Sequence, residues 1–165
     1  MGYLVTLPTY EFAVRLASYS WGELLSAVER QIVSRQFVIE HAMAELIVME
    51  KYPDALLELA SLNKGDDIHP YIDDLVENEV SVSDVDEKVL FLVLSWLFET
   101  KELYDEPLAI VEEIYADFDY PECISGFIRY MPSEEPSLGT VEENKLRLIG
   151  KWESYIDEKY REYNS

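Results

Sequence analysis

The sequence predicts an all-α protein, one domain over residues 1–165 in which roughly seven to nine short helices pack as helical hairpins around a central apolar helix. Three observations carry this. Helix starts of the Ser/Thr-x-x-Asp/Glu form recur along the chain; in these the first side chain accepts from the amide three residues on and the acid reaches back. Apolar residues between them recur at three- and four-residue intervals, and the alternation of a half-buried strand is hard to find. Val89–Phe98, broken only by Ser95, is apolar on nearly every side, as a helix surrounded by others must be.

Ser20-Trp21-Gly22-Glu23 is the first capping box and predicts a helix to about Arg30. Ser34 caps the next, Arg35 to about Tyr52, with Phe37, Val38, Ala42, Leu46 and Met49 on its inner side. Pro53 suits the first position of a helix through Leu56, Leu57 and Ala60 that Asn63-Lys64-Gly65 closes. His69-Pro70 opens a short helix with Tyr71, Ile72, Leu75 and Val76 apolar, and Ser83-Asp84-Val85-Asp86 starts the central one. Leu108, Val111, Ile114, Tyr115 and Phe118 then recur at helical spacing, leaving Glu106, Glu112, Glu113 and Asp117 on a wet acidic side. Pro121 restarts the chain before Ile124, Phe127, Ile128 and Met131, and Pro132 to Gly139 is a polar loop. Thr140-Val141-Glu142-Glu143 launches the last helix, carrying Leu148, Ile149, Trp152, Ile156, Tyr160 and Tyr163. No fixed-period repeat and no composition break of linker length is visible.

The charge is confined to the middle. Between Asp54 and Glu143, 24 Asp and Glu stand against Lys64, Lys88, Lys101 and Arg129, so 20 of the 21 net negative charges fall in that stretch. Self-repulsion on this scale opposes folding, so a compact domain that carries it is either keeping itself soluble or presenting a negative field to a basic partner, and capture of a basic partner is the expectation. An apolar content of 48%, with 12 Tyr, is nevertheless far above that of an acidic disordered chain, so the chain folds. The few bases argue against direct binding of a nucleic-acid backbone, and an anionic membrane would repel the protein. The apolar run at Val89–Phe98 is about half a membrane-spanning length. A single cysteine, Cys123, excludes an internal disulfide and fits a reducing cytosol, and no export signal is visible at the N-terminus. Met1-Gly2-Tyr3-Leu4-Val5-Thr6 fits a loose myristoylation pattern, but one acyl chain anchors only marginally.

Catalytic and cofactor signatures are weak. Asp84/Asp86 and Asp117/Asp119 lie two apart, yet neither pair sits in the Gly-and-Glu layout of a calcium loop, and capping with solvation explains them better. His41 and His69 belong to no catalytic or metal spacing and read as structural. Cys123, in an acidic neighbourhood, reads as a small buried thiol and a poor nucleophile. No phosphate loop, His-Glu-x-x-His or Gly-x-Ser-x-Gly is present, so neither an enzyme nor a cofactor is expected. What remains is acid interleaved with tyrosine: Tyr71 with Asp73, Asp74, Glu77 and Glu79, then Tyr115, Asp117, Asp119 and Tyr120. A tyrosine filling a partner's pocket while acids pair with its Lys and Arg is a recurrent protein interface; the competing reading is a solvated acidic face over a Tyr-containing core.

The segment Pro107-Leu108-Ala109-Ile110-Val111-Glu112-Glu113-Ile114-Tyr115-Ala116-Asp117-Phe118-Asp119-Tyr120-Pro121-Glu122, with Phe127-Ile128-Arg129-Tyr130-Met131-Pro132, resembles the bacterial family named domain of unknown function 2247. Ser20-Trp21-Gly22-Glu23-Leu24, Glu142-Glu143-Asn144 and Trp152 extend the resemblance over most of the chain. The family has no established activity to carry over. Small acidic bacterial proteins of this kind often stand beside polymorphic or contact-dependent toxins as immunity proteins, which agrees with the charge. The Asp-Phe-Asp-Tyr-Pro block also has a structural reading, Asp119 capping the helix after Pro121 and Arg129 tied to Asp117 or Asp119.

The expectation is therefore a cytosolic immunity protein, without chemistry of its own, that occludes the site of a cognate basic toxin, most simply a nuclease domain. Its candidate contact residues are Asp73, Asp74, Glu77, Glu113, Asp117, Asp119, Tyr120, Glu134 and Glu135. The alternative is an acidic regulator or nucleic-acid mimic that binds several basic host proteins, and behind it a metal-dependent carboxylate enzyme.

Overall fold

The computed structural model describes residues 2–80, 84–132 and 136–165, and among them there are helices and no strands. In order these are α1 (Tyr10–Leu16), α2 (Trp21–Glu29), α3 (Arg35–Val48), α4 (Asp54–Ala60), α5 (His69–Glu77), α6 (Val85–Glu99), a 3-10 turn (Lys101–Leu103), α7 (Pro107–Asp117), a 3-10 helix (Glu122–Phe127) and α8 (Val141–Tyr163). Contacts gather into two compact units, Met1–Val89 and Leu90–Ser165, and the division falls within α6 rather than in a linker.

In the first unit the local signals act as the sequence predicts. Ser20 and Glu23 form the reciprocal box of α2, Ser20 Oγ accepting from the Glu23 amide at 3.1 Å and Glu23 Oε1 from the Ser20 amide at 2.8 Å. Ser34 caps α3 through the Phe37 amide. Ser83 lies outside the described residues, and Asp84 caps α6 by accepting from the amides of Asp86 and Glu87 at 3.1 and 3.2 Å. The sequence reading passed over α1, which Thr9 caps through the Phe12 amide. Its one buried residue, Ala13, accepts from the Tyr19 hydroxyl at 2.8 Å. α3 packs against α1, α2 and α4, and α5 against α2 and α4. Phe37, Ile32, Leu24, Leu56, Leu59 and Ile72 are the large buried side chains there.

One inner-face assignment is corrected. α3 stops at Val48, and Met49, turned into extended backbone, is exposed. On α4, Ala55, Leu56 and Leu59 share the face toward the core, and Leu57, a quarter-turn beyond it, is exposed.

Every residue from Val89 to Ser95 is buried, as expected of the central apolar helix. In the second unit Trp152 of α8 is fully buried, its indole Nε1 donating to the Leu94 carbonyl at 3.2 Å and its ring meeting Phe98 edge-on at 5.1 Å. α8 packs on the 3-10 helix Glu122–Phe127, which buries Ile124 and Phe127. Cys123, expected to be buried, is exposed, because successive residues of that helix diverge and the core takes its neighbour Ile124. Tyr160 is likewise exposed, and Tyr155 is the buried tyrosine of α8. Among the described residues no helix is long and apolar enough to cross a membrane.

Candidate functional site

α7 ends in a Schellman turn. The Asp119 amide donates to the Ala116 carbonyl at 3.1 Å and the Tyr120 amide to the Tyr115 carbonyl at 2.8 Å, the paired bonds that close a helix when the residue after the cap is left-handed. Glycine usually fills that place; here Asp119 has φ 60° and Tyr120 follows at φ 55°. The turn brings the Tyr120 ring edge-on to Tyr115 at 5.3 Å, and Tyr130 lies 6.3 Å from Tyr115. Tyr115 is buried while Tyr120 and Tyr130 are exposed, so one anchored ring supports two displayed ones. Partial desolvation, then Tyr115, Tyr120 and Glu112, hold the Tyr130 hydroxyl above its ordinary pKa.

Around these rings the acids divide by whether the fold uses them. Arg129 grips Glu112 with two nitrogens, at 2.8 and 3.0 Å, and reaches Glu106 at 3.3 Å, which Lys145 also contacts at 3.1 Å. Asp117 and Asp119 are therefore not the partners of Arg129, whose guanidinium is drawn to the α7 face two turns back from the helix end. Nor does Asp119 cap the following helix, where Pro121 occupies the cap position without a side-chain bond and Asp119 is committed to the left-handed turn. Glu113 and Asp119 are exposed and make no salt bridge with a described residue; Asp117 is half-buried.

The α5 candidates lie in the first unit. Asp73, Asp74 and Glu77 are all exposed, opposite the buried Ile72 and Leu75, and no described base pairs with them. Glu79, next in sequence, turns inward instead: its carboxylate accepts from the amides of Trp21 and Gly22 at 2.7 and 3.0 Å, satisfying the open donors at the start of α2. Glu134 and Glu135 lie outside the described residues. Among the described residues no three His, Cys, Asp or Glu side chains converge as a metal set, and the Asp84/Asp86 pair is occupied: Asp84 caps α6, and Asp86 takes the Ser26 hydroxyl at 2.7 Å and Arg30 at 3.1 Å.

A polar cluster in the first unit went unread in the sequence. Tyr10 Oη stands 3.0 Å from His41 Nδ1, His41 Nε2 3.2 Å from Glu45 Oε1, and the Trp21 indole donates to Glu45 Oε2 at 3.2 Å. Both nitrogens of the buried His41 are thus engaged, as its structural reading expects. The His41 bond holds Glu45 below its ordinary pKa against its own burial, and burial with Glu45 and Glu40 nearby pushes the Tyr10 hydroxyl up. The i, i+4 spacing of His41 and Glu45 was the one available signal, and it names neither distant partner.

No curated protein and no solved structure matches the chain. The family model described as an uncharacterized protein conserved in bacteria, DUF2247, matches residues 10–160 of the 165, a span that includes both the α5 acids and the tyrosine turn of α7, and the chain belongs to that bacterial family.

Proposed function

We propose that this protein is a cytosolic immunity protein that binds one cognate polymorphic or contact-dependent toxin, a basic nuclease domain in the simplest case, and covers its active site. The observation that carries the reading is the end of α7, where Tyr120 and Tyr130 are displayed on Tyr115 and where Asp119, at the turn, and Glu113, on the same helix, are exposed acids that no described base neutralises. A merely solvated surface gains nothing from an exposed ring on a strained turn with a second exposed ring nearby, whereas an interface gains an anchor with little rotamer entropy to lose. The acids of α5 and α7 speed and orient encounter with a basic surface, raising association toward roughly 10⁸ M⁻¹s⁻¹ at low salt, and the few pairs that become desolvated slow release.

The experiment is capture with tagged protein from the native host, or against the product of an adjacent toxin gene, followed by an inhibition assay. One basic toxin domain held at nanomolar affinity and silenced at one-to-one ratio is the expected result. Charge reversal at Asp73, Asp74, Glu77, Glu113 and Asp119 together should weaken that binding with helicity unchanged, and unchanged affinity would remove these residues from the interface. Capture of several unrelated basic proteins, all released by moderate salt, would replace immunity with nucleic-acid mimicry.

A further inference from the structure

The first unit holds a cavity of about 280 Å³ that the immunity reading does not use. Its lining combines Trp21, Met49, Pro53, Leu56 and Leu75 with Asn78 and two carboxylates, Glu45 and Glu79. Both carboxylates are fixed by Trp21, Glu45 through the indole nitrogen and Glu79 through the backbone amide. Each oxygen that accepts one bond keeps capacity for another. No Lys or Arg lines the cavity, and no described Lys or Arg forms a salt bridge with either acid. Next to the lining residue Met49 in sequence, the end of α3 exposes Ile47 and Val48 at 84% and 79%, apolar side chains with no cover.

An apolar lining that also carries two preoriented carboxylates matches the chemistry of a lysine or arginine side chain, whose methylene stem buries while its charged head is bonded. We propose that this cavity receives a lysine or arginine of the protein partner, with the partner's backbone crossing the exposed end of α3. The proposal rests on the reading of a basic protein partner and adds a second contact region to it, in residues other than those of α5 and α7. Glu45 is suited to the role because His41 and Trp21 keep it ionised and oriented before anything binds.

The test uses the protein alone. Short blocked peptides with a central Lys or Arg, and the norleucine isostere, are titrated to millimolar concentration while the Trp21 indole resonance, identified by its loss in Trp21→Phe, is followed by NMR. Saturable shifts with Lys and Arg but not norleucine are expected. Glu45→Gln should weaken the binding by roughly tenfold, the loss of one charge-assisted contact. Because Glu79→Gln loosens the start of α2, the second variant is Met49→Lys, which places an ammonium in the lining and should block the peptides with both carboxylates intact. Equal shifts with norleucine, no shift with any peptide, or unchanged affinity in Glu45→Gln would each overturn the proposal. The two readings fail separately: peptide binding without any captured toxin breaks immunity and leaves the pocket, whereas a toxin silenced equally by Glu45→Gln breaks the pocket and leaves immunity.

Discussion

At the end of α2 the chain turns through Gln31 at φ 61°, and the Ile32 amide donates to the Ala27 carbonyl at 2.9 Å. At the end of α7 it turns through Asp119 at φ 60°, and the Tyr120 amide donates to the Tyr115 carbonyl at 2.8 Å. Both are Schellman closures without glycine. The first delivers Ile32 to the core with 0% exposed; the second delivers Tyr120 to the surface with 58% exposed and keeps it, too, in the left-handed region. The left-handed conformation costs roughly 1–2 kcal/mol for an ordinary L-residue and somewhat less for Asp, whose side chain can bond locally. Burial of Ile32 offsets that cost on α2, while on α7 only the ring contact with Tyr115 does, worth about 0.5–1.5 kcal/mol. The difference teaches that one backbone device serves two ends, and that strain returned by little burial points to display.

The largest expected effect separates the two on stability. Ile32→Ala should cost about 2–5 kcal/mol by denaturant unfolding, as for a fully buried aliphatic, and Tyr120→Ala no more than about 1 kcal/mol. Equal losses would erase the distinction. Under the immunity reading, binding inverts the order: Tyr120→Ala should weaken the toxin complex by about 2 kcal/mol, near thirtyfold, and Ile32→Ala should leave affinity per folded molecule unchanged. Calorimetry on the captured pair decides this.

Replacing the turn residues sharpens the comparison further. Gln31→Gly and Asp119→Gly should each stabilise by about 0.5–1 kcal/mol, the relief of the left-handed backbone less the entropy that glycine adds to the unfolded chain. Only Asp119→Gly should also reduce association rate at low salt, because only Asp119 carries charge to the partner. Two arginines that hold acids of the fold come next: Arg30, at the end of α2, bonds Asp86, and Arg129 grips Glu112 of α7 with two nitrogens. Their replacement by Met should cost up to about 1 kcal/mol, more for Arg129, and the cost should shrink with salt.

The smallest expected effect is in acid and belongs to the first unit. Glu45 is held below its ordinary value of 4.5, first by the His41 bond, so its contribution is present above pH 4.5 and is lost as pH falls through the lower folded value. Glu45→Gln should flatten the acid limb of the unfolding midpoint there, and an unchanged limb would show that other carboxylates dominate it.

Legibility tracked sequence distance. The caps at Ser20, Ser34 and Thr140 were readable because each bond closes within three residues of its donor. Thr9 offered a similar signal and α1 was still passed over, its apolar pattern being only seven residues long. The partners of Arg129, by contrast, lie 17 and 23 residues away, and local reading placed it on the nearer Asp117 and Asp119. Gln31 carries no sequence mark of a left-handed turn and Asp119 only a weak one, since the usual cue is glycine and the bonds that enforce the turn come from the helix just ended. The candidate site was legible in part: the acids of α5 and the Asp119-Tyr120 turn are exposed, and the pocket acids Glu45 and Glu79 were not distinguished from the rest.

By itself the sequence determined a helical chain and a net charge of −21 with nearly all of it in the middle, because periodicity, capping and composition are local or additive properties. Which acids the fold holds in place and which it leaves exposed was decided only by tertiary structure. Glu23 is buried against Lys88, Glu79 is fixed at the start of α2, Glu112 is held by Arg129, and Asp73, Asp74, Glu77, Glu113 and Asp119 are left exposed. A carboxylate's chemistry is set by the donors within about 4 Å of it, and in a folded helical chain those donors come from elements tens of residues away.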